Sequence, residues 1–260
     1  MFRPSSPRYL AALAVVTATV IHAAPAPAGL LERSDAWARI QHGEYLVENN
    51  TWNIAAARPG RWRQSVFCDP ASGSLGWRWD FTGENDVLKT YPEIIYGKKP
   101  YDGYASTTPR LPAPLAAARF RLEYDYAAKA TGTYNTTTDI TFTDSAAAGE
   151  VNIRAKLMIW FDRQNLPFFA GQVTTRALIA GRQHQVFIDR AHAAADGKWI
   201  FIALLPEGLP NRGELNLTEY FAYLMADGTL KPEWFLSSIE AGSEIASGTG
   251  EAVFKRFIVH

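Results

Sequence analysis

Residues 151–161 read Val-Asn-Ile-Arg-Ala-Lys-Leu-Met-Ile-Trp-Phe. Val151, Ile153, Ala155, Leu157, Ile159 and Phe161 fall on one side of an extended chain, with Asn152, Arg154, Lys156, Met158 and Trp160 on the other. Side chains alternate across a β-strand, so this period predicts a strand with one core face and one open, mixed face. Phe-Arg-Leu-Glu-Tyr-Asp-Tyr at 120–126 repeats the pattern. Further strands are expected at 45–50, 75–81, 133–143, 173–180, 183–190, 198–205, 235–241 and 252–259, separated by turn sequences such as Ala71-Ser72-Gly73-Ser74.

Many short strands without intervening helical periods point to an all-β fold of two packed antiparallel sheets. A helix is expected only at about 216–226, where Leu217, Tyr220, Phe221 and Leu224 recur at helical spacing and Asp227-Gly228 closes the segment. Thr107–Ala118, rich in Pro and Ala, reads as an ordered loop.

Composition narrows the function. Lys plus Arg and Asp plus Glu both total 26, so no basic surplus draws the chain to nucleic acid or anionic lipid, and a neutral partner is expected. Cys68 is the only cysteine, which excludes an intrachain disulfide. The five histidines are scattered without ligand spacing, so no metal and no cofactor are expected. Arg3 and Arg8, the apolar run Leu10–Ile21 and the small residues Ala23–Gly29 read as a signal peptide over 1–28. The expectation is therefore a secreted protein, extracellular or periplasmic, with one domain over 29–260, no membrane attachment after cleavage, and a monomeric state.

Six segments, in order, resemble glycoside hydrolase family 12, the secreted endo-β-1,4-glucanases and xyloglucanases. They are Tyr45–Trp52, Gly76-Trp77-Arg78-Trp79, Lys89–Gly97, Gly132–Thr136, Lys156–Phe161 and Ser238–Glu244. The resemblance covers about the whole mature chain. It implies a β-jelly roll of the concanavalin-like sandwich type, with a concave cleft for β-1,4-glucan.

The resemblance also implies roles. Retaining glycosidases of this kind hold two carboxylates about 5–5.5 Å apart, one attacking C1 and one protonating the leaving oxygen. By position the nucleophile corresponds to Lys156, the acid/base to Glu244, and the aspartate supporting the nucleophile to Asp139. A protonated lysine has no lone pair, and its charge opposes the positive charge that builds on the sugar. Ordinary retaining turnover is therefore expected to be lost. Asn50, Trp52, Trp77, Trp79, Tyr91, Met158 and Trp160 fall at or beside positions lining the substrate groove, and flat indoles suit the apolar faces of pyranoses.

Other acids are poor replacements for the nucleophile. By alternation Glu150 and Asp162 share the Lys156 face but lie about 20 Å away in either direction, and Glu240 is about 13 Å from Glu244 along its strand. Glu240 is read as a rim or supporting residue, and Lys98-Lys99 as a solvated turn. Two alternatives stay open: a working endoglucanase in which Asp139 activates water opposite Glu244, though Asp139 is expected to pair with Lys156, and a protein-interaction decoy.

Overall fold

A computed structural model describes residues 29–260 except 170, 171, 173, 195 and 196; the expected leader over 1–28 lies outside the described residues. The first eight strands are β1 (Leu31–Arg33), β2 (Arg39–His42), β3 (Tyr45–Glu48), β4 (Arg63–Asp69), β5 (Ser74–Phe81), β6 (Glu93–Gly97), β7 (Ala113–Pro114) and β8 (Leu122–Ala130). There follow β9 (Tyr134–Thr143), β10 (Ile153–Gln164), β11 (Thr175–Ile179), β12 (Arg182–Ala194), β13 (Gly197–Pro206) and β14 (Arg212–Leu215). Helix α1 (Leu217–Ala226), β15 (Phe235–Gly242) and β16 (Gly248–Val259) complete the chain.

Two sheets result. One runs β1-β4-β5-β16-β8-β14; the other runs β11-β12-β13-β10-β9-β15-β6-β3-β2, with β7 paired to β15. Pairings are antiparallel except β10 with β13, which is parallel and sets Lys156 beside Phe201. Between the sheets lies a core containing Trp77, Phe81, Tyr96, Tyr124, Phe142 and Phe254, all under 2% exposed. Removing such apolar surface from water supplies the main stabilisation, at about 25 cal/mol per Å². Cys68 is buried and free.

The expected helix is present. Leu217, Tyr220, Phe221 and Leu224 form its buried stripe, Asn216 precedes its first turn, and Gly228 takes the positive φ of 76° that ends it. Thr107–Ala118 carries the two-residue β7 and a short 3₁₀ turn at Leu115–Ala117.

Two corrections follow from β10. Glu150 lies in a 3₁₀ turn, Glu150–Asn152, ahead of the strand. A register shift between Trp160 and Asp162 breaks the alternation, and Asp162 accepts a hydrogen bond from the Tyr134 hydroxyl at 2.9 Å. A bulge inserts one residue and so reverses parity beyond it, which takes Asp162 off the face that carries Lys156.

Candidate functional site

Strand parity divides the central residues of the larger sheet. Ile140, Phe142, Leu157, Ile159, Ile239 and Ala241 point into the core. Asp139, Thr141, Lys156, Met158 and Glu240 therefore stand on the outer face. On β9 and β15, Asp139 and Glu240 are direct cross-strand partners. On β9 and β10, Thr141 is opposite Lys156.

These pairings gather charge. The Lys156 ammonium lies 3.4 Å from Asp139 Oδ2, with side-chain exposures of 14% and 10%. It also sits 5.4 Å from the centre of the Tyr101 ring and 5.5 Å from that of Trp199. Burial alone would lower the lysine pKa, but the Asp139 carboxylate, together with Tyr101 and Glu240, raises it above its ordinary value. Lys156 is thus held as a cation.

Glu240 is only 2% exposed. Ser238 Oγ donates to its Oε1 at 2.6 Å. Burial, then the neighbouring Glu93, push its pKa well above its ordinary value. Beyond it, Lys99 Nζ bridges Glu93 Oε1 at 2.6 Å and Glu48 Oε1 at 2.9 Å. Arg39 Nε caps the row on Glu48 Oε2 at 2.7 Å. The Lys98-Lys99 turn is therefore not solvated as expected: Lys99 is 6% exposed, because two carboxylates from β3 and β6 offset its desolvation. Glu240 is likewise no rim residue.

Glu244 stands apart from this row, four residues beyond Glu240 and half-buried. Asn135 Nδ2 donates to its Oε2 at 2.6 Å, and the Glu244 amide donates to Asn135 Oδ1 at 3.2 Å. Burial raises the Glu244 pKa, the Asn135 bond lowers it, and Asp139 raises it again, leaving it at about 7. A carboxylic acid so placed can give or take a proton near neutral pH. Gly242 is needed between the two glutamates: a Cβ there would lie 2.7 Å from both Pro92 O and the Tyr91 ring.

The expected groove residues divide. Trp52 is 54% exposed, free to present a ring to a ligand. Asn50 is buried: its Nδ2 donates to Glu93 Oε1 at 2.7 Å and its Oδ1 accepts from the Trp52 amide at 3.0 Å, so its amide orients neighbours. Tyr91 is 6% exposed and donates to Thr137 O at 3.2 Å.

Trp77 and Trp79 do not line the groove. They are 0% and 3% exposed because β5 belongs to the other sheet and turns this face into the core, where Trp77 Nε1 donates to Ser243 Oγ at 3.0 Å. Trp160 and Met158 are on the outer face, as their parity predicts, yet both are covered. Phe168 meets Trp160 edge-on at 5.2 Å, and together with Ala203 they form a second apolar cluster. Trp199, which the sequence reading did not single out, lies beside Lys156. It is on the adjacent strand β13, and its alternation alone did not reveal that neighbour.

The family's sequence model, glycosyl hydrolase family 12, matches residues 43–259. The chain belongs to glycosyl hydrolase family 12. It is 28% identical over 213 residues to endoglucanase S of Pectobacterium parmentieri, covering 81% of this chain and 79% of that one. Its fold matches that of a family 12 xyloglucanase from Bacillus licheniformis with a TM-score of 0.78 at 23% identity, over 88% of this chain and 99% of the other. An endoglucanase from Rhodothermus marinus matches with a TM-score of 0.72 at 22% identity, over 88% and 97% of the two chains. The family 12 jelly roll expected from the sequence is thus the fold of this chain.

Proposed function

We propose that the protein recognises β-1,4-glucan of the cellulose or xyloglucan type and that its ordinary retaining hydrolysis is impaired. In this reading Lys156 occupies the nucleophile's position, Glu244 that of the acid/base, and the chain is secreted. The observation that carries it is the Lys156–Asp139 pair at 3.4 Å on the sheet's outer face. An ammonium held there cannot form a glycosyl ester, and it engages the aspartate that a water-activating mechanism would require as base. Glu244, with its proton retained up to about pH 7, supports assignment as the surviving acid. Kinship to endoglucanase S and the xyloglucanase supports the glucan class.

The test is a reducing-sugar assay on xyloglucan and carboxymethylcellulose with wild type and Lys156→Glu. The substitution is expected to raise turnover by about 100-fold or more. Its activity should decline as pH rises through about 7, where Glu244 loses its proton. Equal turnover by wild type and Lys156→Glu would show the site assignment to be wrong.

A further inference from the structure

The smaller sheet carries a groove that the site around Lys156 does not use. Val66, Cys68, Trp77 and Trp79 point into the core, so by alternation Arg63, Ser65, Arg78 and Asp80 stand on that sheet's outer face, across the sandwich from Lys156. Register sets these residues in two rows. Arg63, Asp80 and Thr249 are cross-strand partners in one row; Ser65, Arg78 and Glu251 are partners in the other. Glu32 of β1 lengthens the second row, accepting from Ser65 Oγ and pairing with Arg78 at 3.1 Å. Between the rows runs the line Gln64, Trp79 and Gly250, also in register. Rows and line enclose a cavity of about 680 Å³, which Trp62 also lines. That volume is within the range of about 300–1,000 Å³ common to ligand sites.

We propose that this groove is a second binding site, for a neutral β-glucan chain, on the face opposite Lys156. The proposal rests on the glucan-binding reading and adds to it a place where the same polymer is held outside the family's cleft. Charge selects the ligand class. The walls carry both signs, Arg63 and Arg78 against Glu32 and Asp80, so net charge draws in neither an anion nor a cation. Sugar hydroxyls suit such walls, because each donates to a carboxylate and accepts from a guanidinium. Trp62 supplies the apolar surface that a pyranose face requires: it is partly exposed, and its ring is stacked on Phe81 at 5.9 Å and 4°. That stacking fixes the plane of the indole before a ligand arrives. The groove crosses β1, β4, β5 and β16, three spacings of about 4.8 Å, so it spans roughly 14 Å and takes a short run of sugar units.

Titration with cellohexaose, followed by NMR of the indole N–H signals, tests this, with Trp62→Phe and Trp52→Phe used to assign the two resonances. In wild type both signals should shift, each with its own dissociation constant. Arg63→Ala should weaken the response of Trp62 by about 5- to 30-fold and leave that of Trp52 unchanged. Arg63 is exposed, so its melting temperature should hold. A Trp62 signal that stays still while Trp52 shifts would overturn the second site and leave the glucan reading intact. An Arg63→Ala response equal to wild type, or a melting temperature lowered by several degrees, would also overturn it. Tighter binding of tetragalacturonic acid than of cellohexaose at Trp62 would overturn the neutral class. If neither signal moves with cellohexaose, the second site and the reading beneath it both fall.

Discussion

Lys156→Met isolates the charge at the centre of the site, since methionine keeps the unbranched stem of the side chain and discards the ammonium. Asp139 would then sit in the same wall, 7% exposed, beside the buried Glu240 and with no cation at 3.4 Å. Removing one partner of a buried ion pair costs about 3–5 kcal/mol, because the other charge stays desolvated and uncompensated. The long separation and the 14% and 10% side-chain exposures favour the low end, about 3 kcal/mol. For a domain of this size that corresponds to a fall of about 6–12 °C in melting temperature.

Urea unfolding at pH 7 measures the deficit. Adding Asp139→Asn should restore most of the loss, since the uncompensated charge is gone. A Lys156→Met protein within about 0.5 kcal/mol of wild type at pH 7 would refute the claim that this pair is buried and mutually dependent.

Other perturbations separate the rest of the outer face. Lys99→Met, which strands Glu93 and leaves Glu48 to Arg39, should cost about 3–5 kcal/mol in urea unfolding, against no measurable change had Lys99 been a solvated turn residue. Trp52→Ala should leave stability within about 0.5 kcal/mol but weaken cellotetraose binding by calorimetry, because the ring is 54% exposed and its packing contributes little. Lys156→Glu should lose stability in the same urea assay even as it gains turnover, since it sets a second carboxylate against Asp139.

The fold was legible wherever one face of a strand meets the core and the other does not. The alternation at 151–161 and 120–126 yielded β10 and β8 because the sheet faces differ there. The strand Glu93–Gly97 shows no alternation because all five residues are buried, its outer face being covered as well as its inner one. Parity is also blind to which side of a sheet is inside. Trp77 and Trp79 share a face, as the sequence indicates, but only the pairing of β5 with β4 and β16 turns that face into the core. Lys99 could not be recognised as buried from its neighbours in the chain, since the carboxylate of Glu48 that holds it comes from 51 residues away. The Lys156–Asp139 contact was within reach because the family resemblance set the two positions side by side.

The outer face also shows why a lysine can stand at residue 156 without disturbing the fold. Along one row of side chains the structure places Glu48, Glu93, Glu240 and Asp139, four acids on strands β3, β6, β15 and β9. Arg39 and Lys99 serve the first two, and burial raises the pKa of Glu240. Asp139 is the acid still needing a partner. A carboxylate at 156 would add like charge where water is scarce, an arrangement that costs stability and is kept in active sites because the chemistry requires it. Lysine at the same point turns that repulsion into an ion pair. Under the proposed assignment of position 156, the row of carboxylates gives a physical reason for the fold to accept lysine there: a matched ion pair stands where a second carboxylate would be repelled.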